Sequence, residues 1–88
     1  LPSQAGAVTG VYTDSALTVA YTSGAVLGAT LYFKMVAADL IHFRVGHTVL
    51  LRDASDSTTD VVGKVISRND NGSASSVGVK LLEADDNS

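Results

Sequence analysis

The 88 residues suffice for one domain with a modest core, and 45% of them are apolar. Nine acidic residues against six basic ones leave a formal charge of −3, which argues against a duplex nucleic-acid binder or a ligand of anionic membranes, since both need a basic patch. There is no cysteine, so disulfides and thiolate metal sites are excluded and the redox compartment cannot be read.

Residues 1–15 are small and polar, with Pro2, Gly6 and Gly10, and read as an extended arm or linker with room for a short strand at residues 8–12. Residues 16–88 read as a single small β domain. In "ALTVAYT" (16–22), Leu17, Val19 and Tyr21 alternate with small residues, a strand signal. Gly24 and Gly28 break that pattern. "TLYFKMV" (30–36) resumes it, with Leu31, Phe33 and Met35 on one face and Tyr32 and Lys34 on the other. "AADLIHF" (37–43) is short and reads as one helical turn capping the end of a barrel. "VGHTVLLRD" then gives a turn at Gly46 and a strand with Val49 and Leu51 inward. "VVGKVISRND" (61–70) sets Val61 and Val65 opposite Lys64 and Arg68, and "SVGVKLLEAD" sets Val77, Val79 and Leu81 opposite Lys80. Between these last two, "NDNGSASS" carries Asn71-Gly72, which tolerates positive φ, and is long enough to predict a mobile hairpin tip. Gly63 and Gly78 fall mid-strand, where a bulge or sharp bend is the usual reason. The fold class is all-β: a small bent antiparallel sheet or barrel of about five strands, with a short helical turn near residues 37–43. Its expected core is Leu31, Phe33, Val49, Leu51, Val65, Val79 and Leu81.

Chemistry-bearing residues are few. Asp53, Asp56 and Asp60 lie in "DASDSTTD", spaced three and four apart, without the glycine and distal glutamate of a calcium loop; a solvated hairpin loop is the better account. His42 and His47, with Asp39 as a third ligand, lack the set that zinc requires and read as ordinary histidines. No Gly-x-Ser-x-Gly elbow, phosphate-cradling loop or dinucleotide fingerprint is present. Glu83 with Asp85 or Asp86 reads as a solvated strand end rather than a carboxylate pair. Arg44, Arg52, Lys64, Arg68 and Lys80 offer an outer basic stripe, with Lys64, Arg68 and Lys80 on one alternation and Tyr32 beside them, the ingredients of a single-strand-binding barrel. Cross-strand ion pairing with the interleaved acids is the plainer reading of those charges. The predicted catalytic, cofactor-binding and metal residues are therefore none, and the protein is not expected to be an enzyme.

Residues 39–86, through "FRVGHTVLLRD", "DVVGKV" and "VKLLEADD" after an Asn-rich turn, resemble a segment of tailed-phage major capsid proteins. The resemblance implies a β insertion or peripheral domain on a capsid fold. It implies a non-catalytic structural protein of a bacteriophage virion, without cofactor, whose partners are other capsid or virion subunits and which is a homo-oligomer within its parent protein. A start at Leu1 and the open tail "EADDNS" agree with a piece of a larger chain. No signal peptide or membrane-length apolar run is visible, so no membrane partner is expected, and nucleic acid is not the favoured partner. The alternative is a small β-barrel that binds single-stranded nucleic acid or a glycan.

Overall fold

The computed structural model describes residues 8–22, 24–52 and 60–84, with Arg52 and Asp60 described by their backbone. Five strands form one open antiparallel sheet: β1 (Gly10–Tyr12), β2 (Thr30–Met35), β3 (Thr48–Arg52), β4 (Asp60–Asn69) and β5 (Ser75–Leu81). Their order across the sheet is β1-β2-β5-β4-β3. The fold is all-β, as the alternation predicts, and the helical turn is a 3-10 segment at Ala37–His42.

The pleat divides the sheet into two faces. Leu31, Phe33 and Met35 of β2, Val77, Val79 and Leu81 of β5, and Val61 and Val65 of β4 are buried on one of them. Leu40 and Phe43, from the 3-10 segment and the residue that ends it, complete the cluster. Val11 from one edge of the sheet and Val49 and Leu51 from the other pack against this same cluster. Two opposite edges can share one core only if the sheet curls strongly, the bent alternative to a closed barrel. Five of the seven expected core residues are buried, whereas Val49 and Leu51 are half-buried because their strand lies at the rim. Leu40 and Phe43 are additions to the expected set: a single 3-10 turn shows neither the period of a strand nor that of a helix.

Strands β2 and β3 are entered by the same device. Ala29 N–H donates to Val26 O (3.0 Å) and His47 N–H to Arg44 O (3.1 Å), so each entry is a tight turn whose third residue is a glycine. Gly28 has φ +89° and Gly46 has φ +95°, values that a residue with a Cβ rarely adopts. In each case the turn then runs into a bulge. Gly28 donates to Leu81 O while Ala29 O accepts from Leu81 N–H; Gly46 donates to Val65 O while His47 O accepts from Val65 N–H. Two residues thus oppose one, and the strand enters with added twist.

Three local expectations are corrected. The segment at residues 16–22 is not a strand. The carboxylate of Asp14 accepts the N–H of Thr18 and of Val19 (both 2.9 Å) and the Thr18 hydroxyl, which winds residues 14–19 into a turn and leaves Leu17 at φ +60°. Beyond it the chain returns beside β1, through a single bridge from Tyr12 to Ala20. The "NDNGSASS" connection, predicted as a mobile tip, is a tied 3-10 turn at Gly72–Ala74. The fully buried Ser75 holds it by accepting Asn71 N–H (2.7 Å) and donating to Gly72 O (2.8 Å). The third correction is a bulge in β4. The register jumps from Val65 opposite Val79 to Ser67 opposite Gly78, with Ile66 as the extra residue. Beyond the bulge the faces exchange, so Arg68 stands opposite Val77 and leaves the alternation of Lys64.

Candidate interaction surface

The face of the sheet opposite the core can be written out row by row from the register. One row runs Thr48, Lys64, Lys80, Thr30 across β3, β4, β5 and β2. The next runs Ser67, Gly78, Tyr32, Tyr12 across β4, β5, β2 and β1, and the third runs Asn69, Ser76, Lys34, Gly10. All three lysines of the chain, and two of its three tyrosines, therefore occupy this face. Lys64 meets Lys80 directly, flanked by threonines, so the expected cross-strand ion pairs do not form in that row. Like charges set opposite one another disfavour the sheet locally. Arg68, displaced by the bulge, and Arg44, exposed beside the Gly46 turn, stand outside the cluster.

The tyrosines also have a structural role on this face. A Cβ on Gly78 would lie 3.1 Å from the Tyr32 ring and 2.3 Å from Ser67 Oγ. Tyr32 therefore lies across bare backbone at the centre of the sheet, shielding a glycine that has no side chain of its own. Tyr12 does the same for Gly10, where a Cβ would come within 2.8 Å of its ring. Gly63, on the core face, is confined by Val79 Cγ1, which would lie 2.4 Å from a Cβ placed there. Gly78 thus sits at a bulge as its mid-strand place suggests, whereas Gly63 is required by close packing.

The remaining candidates are not brought together. Among the described residues no group of three or more His, Asp or Glu side chains is placed to hold a metal ion. His42 and His47 are both exposed, and His42 makes an edge-on ring contact with Phe43 at 6.5 Å. Asp39 lies half-buried in the 3-10 segment. Asp53, Asp56 and the side chain of Asp60 fall outside the described residues, as do Asp85, Asp86 and the Arg52 side chain. Glu83 serves the fold: its Oε1 accepts the Val62 N–H at 2.9 Å and so extends the β4–β5 ladder past its last backbone pair. Asp14, which sequence reasoning passes over, is the most strongly engaged carboxylate described. The Thr18 hydroxyl first, then the Val19 N–H, hold its pKa below the ordinary value, against the opposing effect of desolvation. Its signal is present in "DSALT", an aspartate followed four residues later by a threonine.

No protein-family model matches this chain, and no curated protein or solved structure matches it either. The surface must speak through its own composition. Ile41 is 74% exposed, Val26 and Leu27 are each 66% exposed, and Val45 and Val36 are also open. Leu27 and Val45 occupy the same position in the two glycine turns, next to the glycine at the corner. A second apolar group, Leu50, Val62 and Leu82, lies in line across β3, β4 and the end of β5 on the outer face. Scattered apolar residues need no explanation; the aligned row and the apolar turn corners are the features of this surface that call for one. No helix among the described residues is long and apolar enough to cross a membrane.

Proposed function

We propose that this domain is a non-catalytic structural module of a phage-capsid-like shell and that it acts through protein–protein contacts. One observation carries the reading: large apolar side chains are exposed at the corners that enter β2 and β3, at Ile41, and at Leu50 and Leu82, which flank the half-buried Val62 on the outer face. Such residues gain by being removed from water against a neighbour, and a repeated neighbour makes small contacts effective. The resemblance of residues 39–86 to capsid segments supplies the kind of neighbour.

The test is assembly of the full parent reading frame. Leu27→Asp and Ile41→Asp should lower the fraction sedimenting as particles, while the melting temperature of the isolated domain stays the same. Particles forming in undiminished yield with both substitutions present would overturn the proposal.

A second reading has its own support. Lys34, Lys64 and Lys80 share a face with Tyr12 and Tyr32, and the Lys64–Lys80 pair lacks an acid opposite it. A single-stranded nucleic acid would relieve that repulsion and could stack on a tyrosine. Against it stands the position of both rings, which already cover Gly10 and Gly78. Titration with labelled single-stranded DNA or RNA separates the readings. Micromolar binding that weakens steeply with salt and falls on Lys64→Ala or Tyr32→Ala would replace the shell reading with this one.

A further inference from the structure

Strand β3 ends the sheet on one side, and the hydrogen bonds fix which of its backbone groups face the open edge. Val62 turns both of its groups away from β3: its C=O accepts the Leu82 N–H and its N–H donates to Glu83 Oε1, each at 2.9 Å. Its partner Leu50 therefore belongs to the kind of antiparallel pair that exchanges no bonds. The N–H and C=O of Leu50 point out of the sheet, and by alternation so do those of Thr48 and Arg52. Among the described residues no strand pairs with this edge, and its one charge, Arg52, stands at the far end. "TVLL" has no charge, no proline and no internal bulge, and at 42% exposure Leu50 presents an apolar side chain beside these groups.

We propose that β3 pairs antiparallel with β3 of a second copy, about a two-fold axis at Leu50. The two Leu50 residues then exchange both backbone bonds, and Thr48 does the same with Arg52 of the other copy. Val49 comes opposite Leu51 on the core face, apolar against apolar, at the closer spacing of a pair without bonds. On the outer face the row Leu82, Val62, Leu50 continues without a break into its own mirror, so that the apolar row ending at the edge is covered by an identical one. Arg52 faces a threonine and no like charges meet. An unrelated strand would need this same pattern of residues to fit; a second copy has it by symmetry. The edge is short, so one pairing is weak, and its use depends on the many copies that the shell reading provides; in that sense the inference rests on that reading.

The experiment uses the 88-residue chain at increasing concentration, followed by amide hydrogen exchange and nitrogen–proton correlation spectra. The Val49 and Leu51 amides, which face β4, should be protected at every concentration. The Leu50 amide should exchange freely when dilute and become shifted and protected towards millimolar chain. Leu50→Lys puts two like charges on the axis and should weaken association by about tenfold or more, with unchanged shifts for the core residues Val65 and Val79. A Leu50 amide that never responds to concentration overturns the pairing without touching the shell reading, which particle assembly tests separately. Association that survives Leu50→Lys also overturns it, because another surface would then be responsible. Salt-sensitive nucleic-acid binding removes the shell reading whatever β3 does.

Discussion

The two edges of the sheet are finished in opposite ways. β1 is three residues long and is covered from outside: Tyr21 N–H donates to Val11 O and Thr13 N–H to Val19 O, each at 2.9 Å, as the chain returns beside it. That cover needs the tight turn organised by Asp14, with Leu17 held at φ +60°. A left-handed leucine costs about 1–2 kcal/mol, and the bonds converging on the Asp14 carboxylate offset it. β3 is five residues long, uncharged through four of them, and lies against β4 alone among the described residues. Protection of an edge thus lies in the neighbouring turn rather than in the composition of the strand. The chain accepts backbone strain to cover one edge, whereas no described residue covers the longer one, and that contrast is what the proposed pairing of β3 rests on.

Four substitutions probe this contrast between the edges. The largest effect is expected from Met35→Ala, which empties a fully buried site in β2 and should cost about 2–5 kcal/mol in urea unfolding. Both edges should melt together in that variant, since Val11 and Val49 share its core. A loss confined to the β1 side would show that the edges are independent. Gly46→Ala comes next, at about 1–2 kcal/mol, because φ is +95° and no atom lies within 4 Å of the new Cβ, which leaves backbone strain as the only cost. Hydrogen exchange should place the loss at the entry to β3 and spare Val11; uniform deprotection would mean that the turn does not act locally.

Asp14→Asn should have a smaller effect on the other edge, exposing the Thr18 and Val19 amides to exchange while Leu51 stays protected. The sign with pH follows from the depressed pKa. The folded state prefers the ionised carboxylate, so this contribution is complete above the ordinary value of 3.8 and is lost as pH falls through the lower folded value. An acid titration of the Thr18 amide shift reads it, and a midpoint above 3.8 would contradict the hydrogen bonding described. The smallest effect belongs to Leu50→Thr, which should alter the stability of the dilute chain by no more than about 0.5 kcal/mol, since the side chain is exposed and the substitution keeps strand propensity. A larger loss would mean that Leu50 already packs within its own chain.

Four of the five strands are legible because their residues alternate: Leu31, Phe33 and Met35 of β2, Val61 and Val65 of β4, and Val77, Val79 and Leu81 of β5 are buried on one face. The same rule fails where local chemistry overrides it. Leu17, Val19 and Tyr21 alternate as well as any strand, but the Asp14 carboxylate bonds the backbone that a strand would use. Alternation puts Arg68 on the face of Lys64 and Lys80 because a one-residue bulge is invisible to a period of two. Leu40 and Phe43 escape it because a 3-10 turn has no period to detect. Of the candidate surface, the meeting of Lys64 with Lys80 can be foreseen as a cluster, whereas the addition of Lys34 and Tyr12 depends on strand order, which no local pattern encodes. The bare edge of β3 is hidden for the same reason: every strand looks alike until its neighbours are known.

The strand order has a consequence in time as well as in space. β3, β4 and β5 follow one another as a meander, whereas β2 must find β5 across more than half of the chain's length, Leu31 meeting Val79. Closing so long a loop comes late, so refolding should protect β4 amides before those of β2 in a pulse-labelling experiment. Simultaneous protection of the two strands would exclude that sequence of events. Until the seam closes, the most deeply buried strand of the molecule, Ser75–Leu81, is itself an open edge. The hazard in folding this domain is therefore a brief one at its centre, and crowding of nascent chains should lower the yield of folded protein far more than crowding of finished ones.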